Sequence, residues 1–121
     1  MNLLFMITVQ TKIPDCIIYK PEFHKDKRGG FFELWNSNDV PIDWKQVNCS
    51  ISKKNVVRGI HVAPYAKLVT CLYGHIWDVV VDLRKDSPTY MQWLGVNLKY
   101  PQRKEQIFAK QILVPPGCGH Q

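Results

Sequence analysis

His75-Ile76-Trp77-Asp78-Val79-Val80-Val81-Asp82-Leu83-Arg84 is the stretch on which the fold is read. Its residues alternate with a period of two. Trp77, Val79, Val81 and Leu83 share one face, and Ile76, Asp78, Val80, Asp82 and Arg84 share the other, the pattern of a β-strand. The first face is expected to pack, and the second to carry charge into a mixed setting. Just upstream, Tyr73-Gly74-His75 reads as a tight turn in which Gly74 supplies a positive φ, so the runs on either side of it are expected to be antiparallel neighbours. Further short apolar runs bounded by Gly and Pro fall at 16–19, 30–35, 46–51, 56–61, 67–73, 90–98 and 106–114, a spacing that suits an all-β sandwich or barrel. No helical period competes with them.

The chain has 121 residues with a formal net charge of +6, enough for one domain, taken as 1–121, and too short for two. Area scaling gives a folded surface of roughly 6,700 Å² against about 20,000 Å² for the extended chain, so a real core is available. The positive charge points to an anionic partner such as a phosphate, a nucleotide or a nucleic acid. Cys16, Cys49, Cys71 and Cys118 show no C-x-x-C and no dense spacing, which fits reduced thiols in the cytoplasm. The opening nine residues lack a basic leader and a cleavage site, and they read as a strand. No apolar run reaches the roughly 18 residues of a membrane span, so no membrane partner is expected. At the other end Gln111-Ile112-Leu113-Val114 reads as a buried strand and Pro115-Pro116-Gly117-Cys118-Gly119 as a turn that leads nowhere. The last strands and C-terminal segment of the domain are therefore expected to be missing or supplied by a partner.

Three stretches carry chemistry. In Val57-Arg58-Gly59-Ile60-His61 an imidazole and a guanidinium stand at the end of an apolar strand, six residues before Lys67. His61 suits a general base near neutral pH, and Arg58 with Lys67 an anion or enolate. The alternative is a hydrogen-bonded structural histidine beside two solvated cations. In Asp26-Lys27-Arg28-Gly29-Gly30-Phe31-Phe32-Glu33, Arg28 suits a phosphate, Phe31 a stacked base and Glu33 a sugar or base donor; a solvated turn and half-buried strand explain it equally. Gln46, Asn48, Ser50 and Ser52 form one polar line along a strand, which either meets water or lines a polar pocket. The four histidines and four cysteines show no metal spacing, so no metal is assigned. Phosphate loops and dinucleotide fingerprints are absent, and no run of basic residues supports a nucleic-acid partner.

Taken in order, these pieces resemble the dTDP-4-dehydrorhamnose 3,5-epimerase family. The matching motifs are Asp26-x-Arg28-Gly29-x-Phe31-x-Glu33, Gln46-x-Asn48-x-Ser50-x-Ser52, Val57-Arg58-Gly59-Ile60-His61 and Lys67-Leu68-Val69. They continue through Gly74-x-Ile76-x-Asp78-Val79-x-Val81-Asp82-Leu83-Arg84, Ser87-Pro88-Thr89 and Val114-Pro115-x-Gly117-x-Gly119-His120. The resemblance implies a cupin-type jelly-roll β-sandwich and a homodimer in which the strand bearing Arg28, Phe31 and Glu33 reaches the neighbouring site. It implies an isomerase of deoxysugar and polysaccharide biosynthesis that epimerises C3 or C5, or both, of a nucleotide-linked 4-keto-6-deoxy sugar such as the rhamnose precursor. His61 matches the base that removes the proton α to the ketone, and Lys67 the lysine beside the developing enolate. Arg28, Glu33, Gln46, Asn48, Arg58 and His120 match substrate-binding positions. No cofactor is implied, because the ketone itself acidifies the neighbouring C–H bonds.

Three departures qualify the match, one being that Gln121 stands where the family commonly has a glycine after the histidine matching His120. The loop from His61 to Lys67 is shorter than in the bacterial rhamnose enzymes, and it resembles variants that act on other nucleotide-linked ketosugars, including GDP-linked heptoses. The family's tyrosine acid and the aspartate that orients the base have no matching residue. The alternative is a non-catalytic relative that binds nucleotide sugars and has lost the acid.

Overall fold

The stretch at 75–84 does form the longest strand. In the computed structural model, which describes residues 6–101 and 107–121, β7 (His75–Asp82) pairs antiparallel with β8 (Trp93–Lys99), in a register running from His75 opposite Lys99 to Val81 opposite Trp93. On its other side lies β10 (Cys118–His120), which is flanked in turn by β5 (His61–Val62), so the sheet order is β5-β10-β7-β8. A second four-stranded sheet contains β1 (Met6–Gln10), β2 (Ile17–Pro21), β9 (Gln111–Val114) and β6 (Lys67–Thr70) in that order. A separate hairpin pairs β3 (His24–Asp26) with β4 (Gly29–Phe31). Every pairing is antiparallel, and the two larger sheets form the expected β-sandwich, a jelly roll. No helix among the described residues is long and apolar enough to cross a membrane.

Between the sheets lie Ile13, Cys16, Cys71, Val80, Val96, Leu98, Ile112, Val114 and Cys118. The outer face of the β1-β2-β9-β6 sheet is covered as well, because Val40, Ile42 and Trp44 fold back onto Tyr19, Leu113 and Leu68. Gln111 fastens that cover by donating from Nε2 to the Leu34 carbonyl at 2.6 Å and to Thr70 Oγ1 at 2.9 Å. All four residues of β9 are consequently buried, with Ile112 and Val114 facing the core and Gln111 and Leu113 the cover.

Several expectations are corrected. The Gly74 turn has its positive φ of 79°, but β6 and β7 are not neighbours: the turn hands the chain from one sheet to the other. The burial of β7 is also inverted. Val80 and Asp82 are fully buried and Asp78 nearly so, while Trp77 is 56% exposed on the outer face. The turn at 115–117 does not lead nowhere, since Gly117, with φ 84°, reverses the chain into β10 at the middle of a sheet. The runs at 46–51 and 56–60 form no strand and are exposed throughout. That is one reason the accessible surface is 8832 Å², roughly a third above the area scaling for this mass. The run at 30–35 pairs only through Gly30 and Phe31. Met1 to Phe5, and the start of the 106–114 run, lie outside the described residues.

A charged face can turn inward only if its carboxylates find partners, because an unpaired buried charge costs several kcal/mol. Asp82 accepts from Arg84 Nε at 2.9 Å, from the Arg84 backbone N–H at 3.1 Å, and from the hydroxyls of Ser87 and Thr89. Arg84 also donates to the Pro14 carbonyl at 2.8 Å, tying the end of β7 to the β1–β2 connection. The Arg84 guanidinium, followed by the Ser87 and Thr89 hydroxyls, holds the Asp82 carboxyl far below the usual carboxylate range, against the opposing effect of burial. A lowered folded pKa stabilises the fold above the unfolded value near 4, and the contribution disappears as pH falls through the folded value. Asp82→Asn is therefore expected to lose about 3 kcal/mol at pH 7 in urea unfolding. The variant should also lose less stability than the wild type as pH is lowered below about 4.

Candidate functional site

The site is built on β10. His120 stands directly opposite His61 of β5 and Val80 of β7, so both imidazoles share the face that Val80 turns to the core. Asp78 lies one step further along the same face, and its carboxylate accepts from His120 Nδ1 at 3.2 and 3.3 Å. Burial grades along this row. The Asp78 side chain is 3% exposed, that of His120 is 19% exposed, and His61 is open to solvent on the edge strand. The row thus runs from the interior of the sandwich to its mouth.

Backbone requirements explain why the chain closes here. Gly119 sits under the side chains of Ile60, Val62 and Val81, and a Cβ there would fall 2.5 Å from Ile60 Cγ2. Gly59 has φ 106°, and a Cβ on it would lie 2.8 Å from the His120 carbonyl oxygen. Both glycines let the strand carrying His61 approach the strand carrying His120. Outside the pair, Gln121 continues the ladder by exchanging backbone hydrogen bonds with Val79 at 2.9 and 3.0 Å.

The other candidates fall into three groups. Arg58 folds back on its own segment, donating from Nε to Ser52 Oγ at 2.7 Å and from Nη2 to the Ile51 carbonyl at 2.9 Å. On the same exposed segment Gln46 Nε2 donates to Asn48 Oδ1 at 3.0 Å, which keeps the polar line together. Lys67 lies on the other sheet, half-buried, with its ammonium 6.0 Å from the centre of the Tyr65 ring. Arg28 occupies the exposed tip of the β3–β4 hairpin, where its side-chain hydrogen bonds go to Asp26. The Arg28 guanidinium correspondingly lowers the Asp26 pKa. Glu33 is half-buried and accepts from Asn36 at 3.2 Å. Phe31, exposed beside Arg28, borders an open apolar hollow of about 240 Å³ with Phe32, Leu34, Leu72 and Tyr100.

Of the sequence candidates, then, His61 and His120 are brought together, as are Gln46 with Asn48 and Arg58 with Ser52. Arg28 and Glu33 belong to the hairpin region and make their side-chain hydrogen bonds there. Asp78 is the residue that sequence reasoning missed as a site residue. Its signal was a lone carboxylate within an Ile-Trp-Asp-Val-Val run, a position where burial demands a partner. Among the described residues no three His, Cys, Asp or Glu side chains gather as a metal site would require. The arrangement can move protons: one imidazole is exposed at the mouth, and a second is oriented by a buried carboxylate.

A family model described as dTDP-4-dehydrorhamnose 3,5-epimerase matches residues 10–121. The dTDP-4-dehydrorhamnose 3,5-epimerase of Salmonella typhimurium is 40% identical over 125 residues, covering 95% of this chain and 65% of that protein. The enzyme of the same name from Methanothermobacter thermautotrophicus is 38% identical, covering 93% of this chain and 62% of its own. The chain thus spans a little under two thirds of the length of these relatives. Among solved structures, a dTDP-6-deoxy-D-glucose-3,5-epimerase from Legionella pneumophila in complex with dTDP-4-keto-L-rhamnose superposes with a TM-score of 0.83 at 34% identity. It covers 96% of this chain and 63% of that one. An epimerase from Mycobacterium tuberculosis gives a TM-score of 0.84 at 35% identity, covering 94% and 59%.

The close approach at Gly59 makes a direct prediction. Gly59→Ala forces a Cβ into a backbone carbonyl at a φ that side chains rarely adopt, a strain of about 1–3 kcal/mol. Thermal melting should show a loss of that size, and the amide resonances of His61 and His120 should shift more than those of β1 or β2.

Proposed function

We propose that this chain, which belongs to the dTDP-4-dehydrorhamnose 3,5-epimerase family, is an isomerase that epimerises a nucleotide-linked 4-keto-6-deoxy sugar at C3, C5 or both. The observation that carries the reading is the cross-strand pair of His61 and His120 over Asp78, at the mouth of a sandwich that superposes on epimerases of this family. His61 is the base. It takes the proton from carbon next to the ketone, and the electron pair left behind is delocalised onto the ketone oxygen as an enolate. Lys67 places a positive charge beside that oxygen, where negative charge develops during the reaction. Arg28 and Arg58 are guanidiniums suited to the diphosphate, and Gln46, Asn48, Glu33 and His120 bind the nucleotide and sugar. The ketone of the substrate supplies the acidity, so the step consumes no cofactor.

The working form is a homodimer in the cytoplasm, with no nucleic-acid or membrane partner. All four cysteines are free, which supports a reducing compartment. The outer face of β5-β10-β7-β8 supports the dimer. It exposes Ile60, Val62, Trp77 and Trp93 around half-buried Val79 and Val81, an apolar patch bordered at one end by His75, Asn97 and Lys99. Arg28 and Phe31, which point outward from the hairpin, are available to a neighbouring site.

Two measurements test this. Incubation with a dTDP-linked 4-keto-6-deoxyhexose in deuterated water should place deuterium at C3 or C5 by NMR. His61→Ala should slow that uptake by about 10²–10⁴-fold, the range of general base catalysis. Uptake equal in both proteins removes His61 as the base, and nucleotide-sugar binding without any uptake selects the non-catalytic alternative. Sedimentation should give twice the monomer mass, and Trp77→Glu should shift it toward monomer.

A further inference from the structure

We infer that His120, with Asp78 as its positioning residue, is a second acid–base imidazole of the site, exchanging a proton with the ketone oxygen while His61 exchanges one with carbon. This rests on the epimerase reading above and deepens it. The argument begins with burial. Asp78 is 2% exposed, and the hydrogen-bond partner of its side chain among the described residues is His120 Nδ1. A carboxylate accepts, so Nδ1 carries the hydrogen and donates it. In the neutral ring that bond selects the tautomer whose Nε2 lone pair is free. When the ring gains a proton, Nε2 carries it, with the Asp78 carboxylate balancing the new charge at contact distance.

Register supplies the second part. His120 is the direct cross-strand partner of His61, so their side chains leave the sheet on one face, with Cβ atoms about 5 Å apart. The titratable groups around His120 are Asp78 on β7, His61 on β5 and Cys118 on its own strand, and Asp78 is the carboxylate that accepts from its ring. Burial holds the Cys118 thiol up at about 11, so it stays neutral and leaves the Asp78–His120 pair undisturbed.

The step balances. His61 breaks the C–H bond and takes the proton. The bond pair becomes a carbon–carbon double bond, the carbonyl π pair moves onto oxygen, and that oxygen takes the Nε2 proton of His120. On collapse of the enol the hydroxyl proton returns to His120 Nε2 and the C=O bond re-forms. Carbon takes a proton either from the His61 imidazolium, which retains configuration, or from a water on the opposite face, which inverts it, the His61 proton then neutralising the hydroxide left behind. Lys67, on the other sheet, contributes a fixed charge, whereas His120 contributes a transferable proton.

The test uses the full chain with Asp78→Asn, Asp78→Glu and His120→Gln. Long-range proton–nitrogen NMR should find neutral His120 protonated at Nδ1 in the wild type, with this preference lost in Asp78→Asn. Deuterium uptake at saturating substrate should slow at least about tenfold in Asp78→Asn and His120→Gln, with partial recovery in Asp78→Glu. A wild-type His120 protonated at Nε2 when neutral overturns the inference. So does a His120→Gln protein that binds substrate more weakly yet takes up deuterium at the wild-type rate when saturated. A wild type with the Nδ1 tautomer and no deuterium uptake overturns the epimerase reading instead. Should Asp78→Asn fail to fold, the wild-type spectrum and His120→Gln, a change at a partly exposed side chain, still decide.

Discussion

Two carboxylates buried between the sheets organise the molecule. A charge taken into an apolar sandwich is tolerated only when a partner sits at hydrogen-bond distance, and β7 carries two such charges on its inward face. Asp82 is satisfied by Arg84, Ser87 and Thr89, and Arg84 in turn is bonded to the β1–β2 connection, so the end of β7 is bolted to the other sheet. Asp78 is satisfied by His120, which requires β10 to lie beside β7. One pair holds the architecture, and the other holds the site.

The same constraint separates structural from chemical charge. Asp82 is saturated with donors and fully buried, so it has nothing left to offer a substrate. Asp78 binds one side of an imidazole whose other side remains free at the mouth. Arg58, Gln46 and Asn48 reach the surface from a segment outside the strands whose apolar side chains, Val47, Ile51 and Val57, are exposed. Binding residues on such a segment and on an isolated hairpin suit a ligand that spans several elements, as a nucleotide diphosphate sugar does. The catalytic row, by contrast, is set in a hydrogen-bonded sheet.

Much of this was legible from residues alone. The alternation at 75–84, the glycine turns and the Pro-bounded apolar runs announced an all-β sandwich, and the ordered motifs around Arg28, Asn48, His61 and His120 announced the family. Errors arose where local pattern met non-local pairing. Gly74 needed its positive φ, but a turn conformation does not say whether the next strand returns to the same sheet. The 46–51 alternation is a strand pattern without a strand, because strand formation needs a neighbour and none of the described residues supplies one. Asp78 was seen as charge on a mixed face, since a carboxylate in a sequence does not reveal the imidazole that will meet it.

By itself the sequence determined the period of each strand, the positions of the turns, the set of chemistry-bearing residues and the family they spell. Those are properties of neighbours along the chain, set by side-chain alternation and by the φ values that glycine and proline permit. Only the tertiary structure decided which face of β7 turned inward, which sheet each strand joined, and that His61, His120 and Asp78 form one row. Those depend on register between segments about 40 to 60 residues apart. That register is selected by the joint requirement to bury apolar area and leave no carboxylate unpaired.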